Sequence, residues 1–283
     1  MEKKKFAVLS DSTAGLPDDL REKYAIKEIP LIVNWDDESY LDNVDITPDE
    51  FYAKLAVEKN IPTTSQPSAG AFKDVYEAIA SEADGVLALL ISADLSGTVA
   101  SAIAAKEMVS DFPVKVVDTR LTTMALGLVA LKAAEIAEEG ASIEDALHAL
   151  APAIEGMKVM FVVDTLEFLH RGGRIGGAQR LLGSMLAMKP VLQLVDGKIE
   201  SLESVRTKKK AIQTMLSVFE ADAVGKDKIH MTVFHGVAED DAENIRRYLE
   251  ETFHPDTLIV AKLSPVIGVH TGPGTVGIAY YFE

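Results

Sequence analysis

Three short runs, FAVLS (6–10), GVLALLIS (85–92) and VKVVDT (114–119), are almost wholly apolar. A strand with one wet face alternates polar and apolar residues. A run this apolar must be covered on both faces, and a parallel sheet between two layers of helices does that. Helical patterns separate the runs. Thr47-Pro48-Asp49-Glu50 is a capping box with proline at the first helical position. Ser68 precedes AGAFKDVYEAIASEA, TTMALGLVALKAAEIAEEG runs to Gly140, and Ser142 opens the helix after it. The alternation predicts a three-layer α/β domain with a mainly parallel sheet over residues 1–155.

Residues 156–283 read differently. KVMFVVDT (158–165) is a strand, and KPVLQLVDGKIESLESV (189–205) is a hairpin turning at Asp196-Gly197. Helical AEDDAENIRRYLEETF (238–253) lies between strand-like KIHMTVFHGV (228–237) and TLIVAKL (257–263). Hairpins mixed with helices predict an α+β domain with a mixed sheet. The length of 283 residues suits two such domains.

Several function classes fall away. A net charge of −16 argues against a nucleic-acid binder, which needs a basic face to release counterions. No cysteine is present, so thiolate chemistry and disulfides are excluded. GPGTVG (272–277) matches a dinucleotide fingerprint in letters, but a strand-like IAYYF follows where that mechanism needs a helix. The histidines show no metal-binding spacing, and His230 and His235 would face opposite sides of one strand. The start MEKKKFAVLSDST has no secretion-signal core, and no window nears the ~18 apolar residues of a membrane span. A cytoplasmic protein, with at most transient membrane contact, is expected.

Two polar loops stand out. LISADLSGTVASAIAAKEM (90–108) passes from strand to helix through Asp94, Ser96, Gly97 and Thr98. Such a loop sits at the carboxyl edge of the sheet, where the next helix offers free N–H groups to an anion. Capping of that helix by Asp94 or Ser96 explains the same residues equally well. NIPTTSQPSAG (60–70) adds Thr63, Thr64, Ser65 and Gln66 in a second hydroxyl-rich loop. Together they offer neutral donors and no strong base, which suits holding a carboxylate. His270, in a loop shaped by the glycines and prolines of PVIGVHTGPG (265–274), is a third candidate. The basic run VRTKKKA (205–211) is either a solvated helix start or a docking patch.

The stretches DSTAGLP (11–17), TSQPS (64–68), LSGTVASA (95–102), DTLEFLHRGGRIG (164–176), KPVLQLVDGKI (189–199), RTKKKA (206–211) and IGVHTGPG (267–274) resemble the DegV family, in order and nearly end to end. The resemblance implies two α/β domains with a long-chain fatty acid buried between or beside them, and no other cofactor. It implies that Thr64 and Ser96, flanked by Thr63, Ser65 and Gly97, hold the carboxylate, with Arg174 and His270 around it. It implies a carrier without catalytic residues that presents the acid to an ATP-binding kinase subunit for acyl-phosphate formation, docking through Arg206 and Lys208. Val99 replaces the aromatic residue common after SGT in that family. LLGSMLAM (181–188) is a candidate wall for the acyl chain. The competing expectation is an enzyme acting on a small carboxylated or phosphorylated metabolite, with Ser96 as nucleophile or His270 as base. It requires a base within ~2.6–3.2 Å of Ser96.

Overall fold

The computed structural model describes residues 3–184 and 188–283. The first half runs β1 (Ala7–Asp11), α1 (Asp18–Lys23), β2 (Lys27–Ile29), β3 (Ile32–Trp35), β4 (Glu38–Leu41), α2 (Pro48–Val57), β5 (Thr63–Ser65), α3 (Ala69–Ile79), β6 (Val86–Leu90), α4 (Thr98–Lys106), β7 (Val114–Asp118), α5 (Thr123–Glu138) and α6 (Ile143–Gly156). The second runs β8 (Lys158–Val162), α7 (Glu167–Arg171), β9 (Lys189–Val195), β10 (Lys198–Val205), α8 (Lys208–Asp222), β11 (Ile229–Gly236), α9 (Glu239–Phe253), β12 (Thr257–Lys262), α10 (Pro265–Thr271) and β13 (Thr275–Phe282).

The three apolar runs form β1, β6 and β7 of a parallel sheet ordered β2-β1-β6-β7. The order reverses between β1 and β6. Ligand crevices of open parallel sheets lie beyond the strand carboxyl ends at such a reversal. Asp11, at the end of β1, spans it by accepting the Ile91 N–H just past β6, at 2.7 Å. The capping box at Thr47/Glu50 forms as the sequence predicts, Ser142 caps α6 as expected and forms a box with Asp145, and Ser68 caps α3 through the Ala71 N–H.

The second half builds a mixed sheet ordered β10-β9-β8-β13-β11-β12. Only β11 and β12 run parallel within it, and Lys198 pairs with Val195 across the Asp196-Gly197 turn. One apolar cluster joins the two large sheets through α5 and α6. It takes Val8, Leu87 and Leu89 from the parallel sheet and Val159, Phe161 and Ala279 from the mixed one. Helix α5 is buried on all sides from Thr123 to Leu131, as a helix between two sheets must be.

Two segments differ from expectation. The hydroxyl-rich stretch at 60–70 is not wholly a loop: Thr63–Ser65 is strand β5, paired with β3 in a small antiparallel sheet ordered β4-β3-β5. Residues 265–271 are helix α10, not a loop. Pro265 is its first residue, where proline needs no N–H partner, and Gly272 closes it at φ +72°. Helix α10 lies on the small sheet, with Val266 and Val269 packed among Val33, Trp35, Phe51 and Tyr52. The buried carboxylate of Asp42 accepts the Val266 N–H at 3.0 Å and anchors the helix start. The far end of the chain is thereby fixed to its first third.

Candidate functional site

Four short pieces of chain converge at the sheet reversal. In the turn after β6, the Ser96 N–H donates to the Ser92 carbonyl at 3.1 Å. The capping explanation for this turn fails. Helix α4 begins at Thr98, its N-cap is Gly97, and no side chain caps it. Asp94 instead faces Arg120 and Lys198. The Ser96 hydroxyl lies 2.8 Å from that of Thr98. Gly97 approaches the Gln66 side chain closely: a Cβ there would come 3.0 Å from its amide group, which would have to give way slightly.

Strand alternation sorts the second group. Thr64 turns toward the interior, while Thr63 and Ser65 fall on the opposite face of β5. Thr63 is exposed, and Ser65 accepts a hydrogen bond from Asn34 Nδ2 at 2.8 Å. Neither borders the cavity described below, and Gly97 does not border it either.

Helix α10 brings His270 to Thr64. His270 Nε2 and Thr64 Oγ1 are 2.8 Å apart across 206 positions of sequence. His270 Nδ1 is buried without a hydrogen-bond partner. Gly172 leaves room for the ring, because a Cβ there would collide with Nδ1. Burial, assisted by the Arg174 charge, holds the His270 pKa down at about 4. The imidazole is therefore neutral at neutral pH.

Arg174 follows α7. Its Nε donates to the Leu95 carbonyl at 3.0 Å and its Nη1 to the Gly172 carbonyl at 2.7 Å. These bonds position the guanidinium without neutralising it. Among the described residues, no Asp or Glu forms an ion pair with it.

Thr64, Ser96, Arg174 and His270 share one cavity of about 780 Å³, its open mouth included. Beside these four polar residues much of the wall is apolar, with Ile91, Val159, Phe161, Ile199, Phe234, Leu263 and Ile267 among the lining side chains. Among the described residues, Arg174 is the one lining side chain of fixed charge, and no Asp or Glu lines the cavity. In a chain of net charge −16, a cavity with a single cation and no carboxylate selects for an anion. Ser96 has a hydroxyl, not a base, beside its oxygen, so the requirement for a serine nucleophile is not met. Among the described residues, no cluster of three His, Asp or Glu side chains could hold a metal ion.

The profile of the DegV family matches residues 5–283. The chain belongs to the DegV family. A DegV domain-containing protein of Streptomyces coelicolor is 42% identical over 96% of both chains. One from Clostridium perfringens is 38% identical over 98% of both. The structure of a Thermus thermophilus DegV family protein, described by its fatty acid binding, superposes at TM-score 0.94 with 41% identity, covering 99% of this chain and 100% of that one. Bacillus subtilis DegV, described as a fatty acid binding protein, superposes at 0.93 with 34% identity and the same coverage.

Sequence reasoning missed part of the lining. Gln66, Thr122, Thr123, Thr271 and Thr275 all border the cavity. Gln66 and Thr271, the last residue of α10, stood inside stretches already singled out, while Thr122 and Thr123 lie at a helix start and Thr275 at a strand start, where capping or β-propensity explains them. Of the candidate wall 181–188, Leu181 and Leu182 pack against the shared core and Leu181 makes a further contact, while Met185, Leu186 and Ala187 lie outside the described residues. Arg206 is exposed just before α8. Lys208 is half-buried, 3.0 Å from Asp241 and 3.9 Å from Asp164.

Proposed function

We propose that this DegV family protein is a fatty-acid carrier, with the carboxylate at Thr64, Ser96, Arg174 and His270 and the acyl chain in the apolar cavity behind them. The observation that carries this is the cavity's charge pattern: one unneutralised cation with the hydroxyls of Thr64 and Ser96 on the same lining, no acid there among the described residues, and a largely apolar remainder. The solved relatives described as fatty acid binding proteins support it.

The hydrogen bonds have a consistent direction. With His270 neutral, its Nε2–H donates to Thr64 Oγ1, which frees the Thr64 hydroxyl proton for a carboxylate oxygen. Ser96 donates to the same group, and the remaining Arg174 N–H groups supply charge. Each charge-assisted bond contributes ~1.5–3 kcal/mol. About fourteen methylenes of a sixteen-carbon chain contribute on the order of 11 kcal/mol gross, at ~0.8 each, before ordering costs. The chain therefore sets affinity, and the polar end sets orientation.

Solvent extraction of purified protein, read by mass spectrometry, should yield long-chain fatty acid. Protein that is empty and also ignores added acid would overturn the assignment. Thr64→Ala with Ser96→Ala is expected to weaken binding roughly tenfold to a hundredfold with an unchanged circular dichroism spectrum. Parent-like affinity in that variant would place the carboxylate elsewhere.

The carrier's role is to present the carboxylate to an ATP-binding kinase subunit, which forms the acyl-phosphate. Exposed Arg206 is the docking residue. Lys208, engaged by Asp164 and Asp241, shapes that patch instead of reaching out from it. Arg206→Glu should lower the rate of acyl-phosphate formation with a kinase partner by at least about tenfold at unchanged fatty-acid affinity. Unchanged turnover would remove Arg206 from the interface.

A further inference from the structure

The cavity has further polar lining residues at Thr122 and Thr123. Helix α5 begins at its wall. The N-cap is Thr122, and its side chain makes no capping bond to the helix. The first N–H groups of a sixteen-residue helix are thus left without a side-chain acceptor. Thr123, the next residue, is 6% exposed and has φ +54°, a left-handed conformation that a β-branched residue rarely adopts. The hydroxyls of Thr122 and Thr123 are both buried, and neither has a hydrogen-bond partner among the described residues. Both residues border the cavity.

The contrast with the other threonines is informative. Thr271 donates to the Ile267 carbonyl at 3.1 Å, and Thr275 donates to the carbonyls of Thr271 and Gly272, each at 3.0 Å. Those hydroxyls serve the backbone. An unbonded buried hydroxyl is costly, and two adjacent ones beside an uncapped helix start are costlier still. Strain in a residue such as Thr123 persists where function uses it.

We propose that Thr122, Thr123 and the start of α5 form a second binding station, which receives an oxygen carried on the acyl chain away from its carboxylate. The ligand class is an oxygenated fatty acid, with a hydroxyl or keto group at the depth of α5. This rests on the fatty-acid reading of the same cavity. Free donors fit an oxygen acceptor, and a hydroxyl substituent can also donate back to a threonine oxygen. A saturated chain leaves both threonines unpaired.

The test measures binding of octadecanoic acid and of a positional series of hydroxyoctadecanoic acids, by displacement of a fluorescent fatty acid. The parent should bind one isomer, or two neighbouring ones, roughly threefold to tenfold tighter than octadecanoic acid, and reject the others. Thr122→Val with Thr123→Val keeps the side-chain shape and removes both hydroxyls. It should abolish that preference and bind octadecanoic acid at least as well as the parent. Thr123→Gly is the second variant, since glycine accepts the left-handed backbone without strain, and it too should lose the preference. If the parent binds octadecanoic acid but disfavours every isomer as strongly as the valine variant does, the station holds only water and the inference fails alone. If octadecanoic acid itself does not bind, the carrier reading fails with it.

Discussion

Replacing Arg174 with methionine is expected to weaken fatty-acid binding roughly tenfold to a hundredfold, the largest loss from any single residue of the polar end. The cause is electrostatic. The cavity lies in a chain of net charge −16, and Arg174 is the only fixed positive charge on its lining among the described residues. A carboxylate entering without it meets two hydroxyls and a neutral imidazole, which do not repay its desolvation. Methionine keeps much of the side-chain length, so the loss reads as charge and hydrogen bonding more than as a void. The matched fatty alcohol is the discriminating ligand. It carries no charge, so its affinity should change less than about threefold. Equal losses for acid and alcohol would mean that Arg174 acts by shaping the pocket. A second readout is independent of lipid. Arg174 adds to the burial that holds His270 down at about 4. In Arg174→Met the His270 titration, followed by proton NMR, should move upward toward its ordinary value.

Much of the frame could be read from the chain. The three apolar strand runs carry their own evidence of double burial, and the capping boxes mark helix starts within a residue. The small sheet was illegible because its strands, at three or four residues, are too short for periodicity to show. Its register depends on β5 returning to β3 from 31 positions away, Thr64 opposite Val33. Thr63, Thr64 and Ser65 therefore looked equivalent, and only strand pairing separates the one that faces inward. His270 was noticed for its glycines and prolines, which turned out to bound a helix. Helix α5 held an unread signal. Its run TMALGLVALKAA is apolar all round, which means burial between two layers, and that is how the two large sheets come to share a core. Thr122 and Thr123 gave no warning, because ordinary residues at a helix start show neither backbone strain nor missing partners in their letters.

The buried acids behind the site predict an unusual pH response. Burial raises Asp11 to about 6, and Glu28 and Asp42 each to about 7. The folded protein thus holds protons on these groups more tightly than the unfolded chain, where ordinary values of 3.8, 4.5 and 3.8 apply. A raised folded value gives stability that is complete below the unfolded value and is lost as pH rises through the folded one. These three groups therefore make the fold more stable near pH ~5 than near pH ~7.5. His270 opposes them. Its folded value of about 4 lies below the ordinary 6.5, so its contribution is lost as pH falls across that interval. Three carboxyls outweigh one imidazole, and the midpoint of thermal unfolding should rise on mild acidification. At ~1.4 kcal/mol per pH unit for one proton, Asp42 alone contributes on the order of 2–3 kcal/mol between pH ~5 and pH ~7.5. Asp42→Asn removes the charge and keeps an oxygen for the Val266 N–H. It should raise Tm at pH ~7.5 by at least ~3 °C and flatten the pH dependence. Asp42→Ala also removes that acceptor, so it should lose ~1–3 kcal/mol relative to Asp42→Asn at every pH. Should Asp42→Asn leave the pH dependence unchanged, the bond to α10 sustains the ionised carboxylate despite its burial. His270 would then hang from a charged anchor, and fatty-acid affinity should fall with acid as that anchor is neutralised.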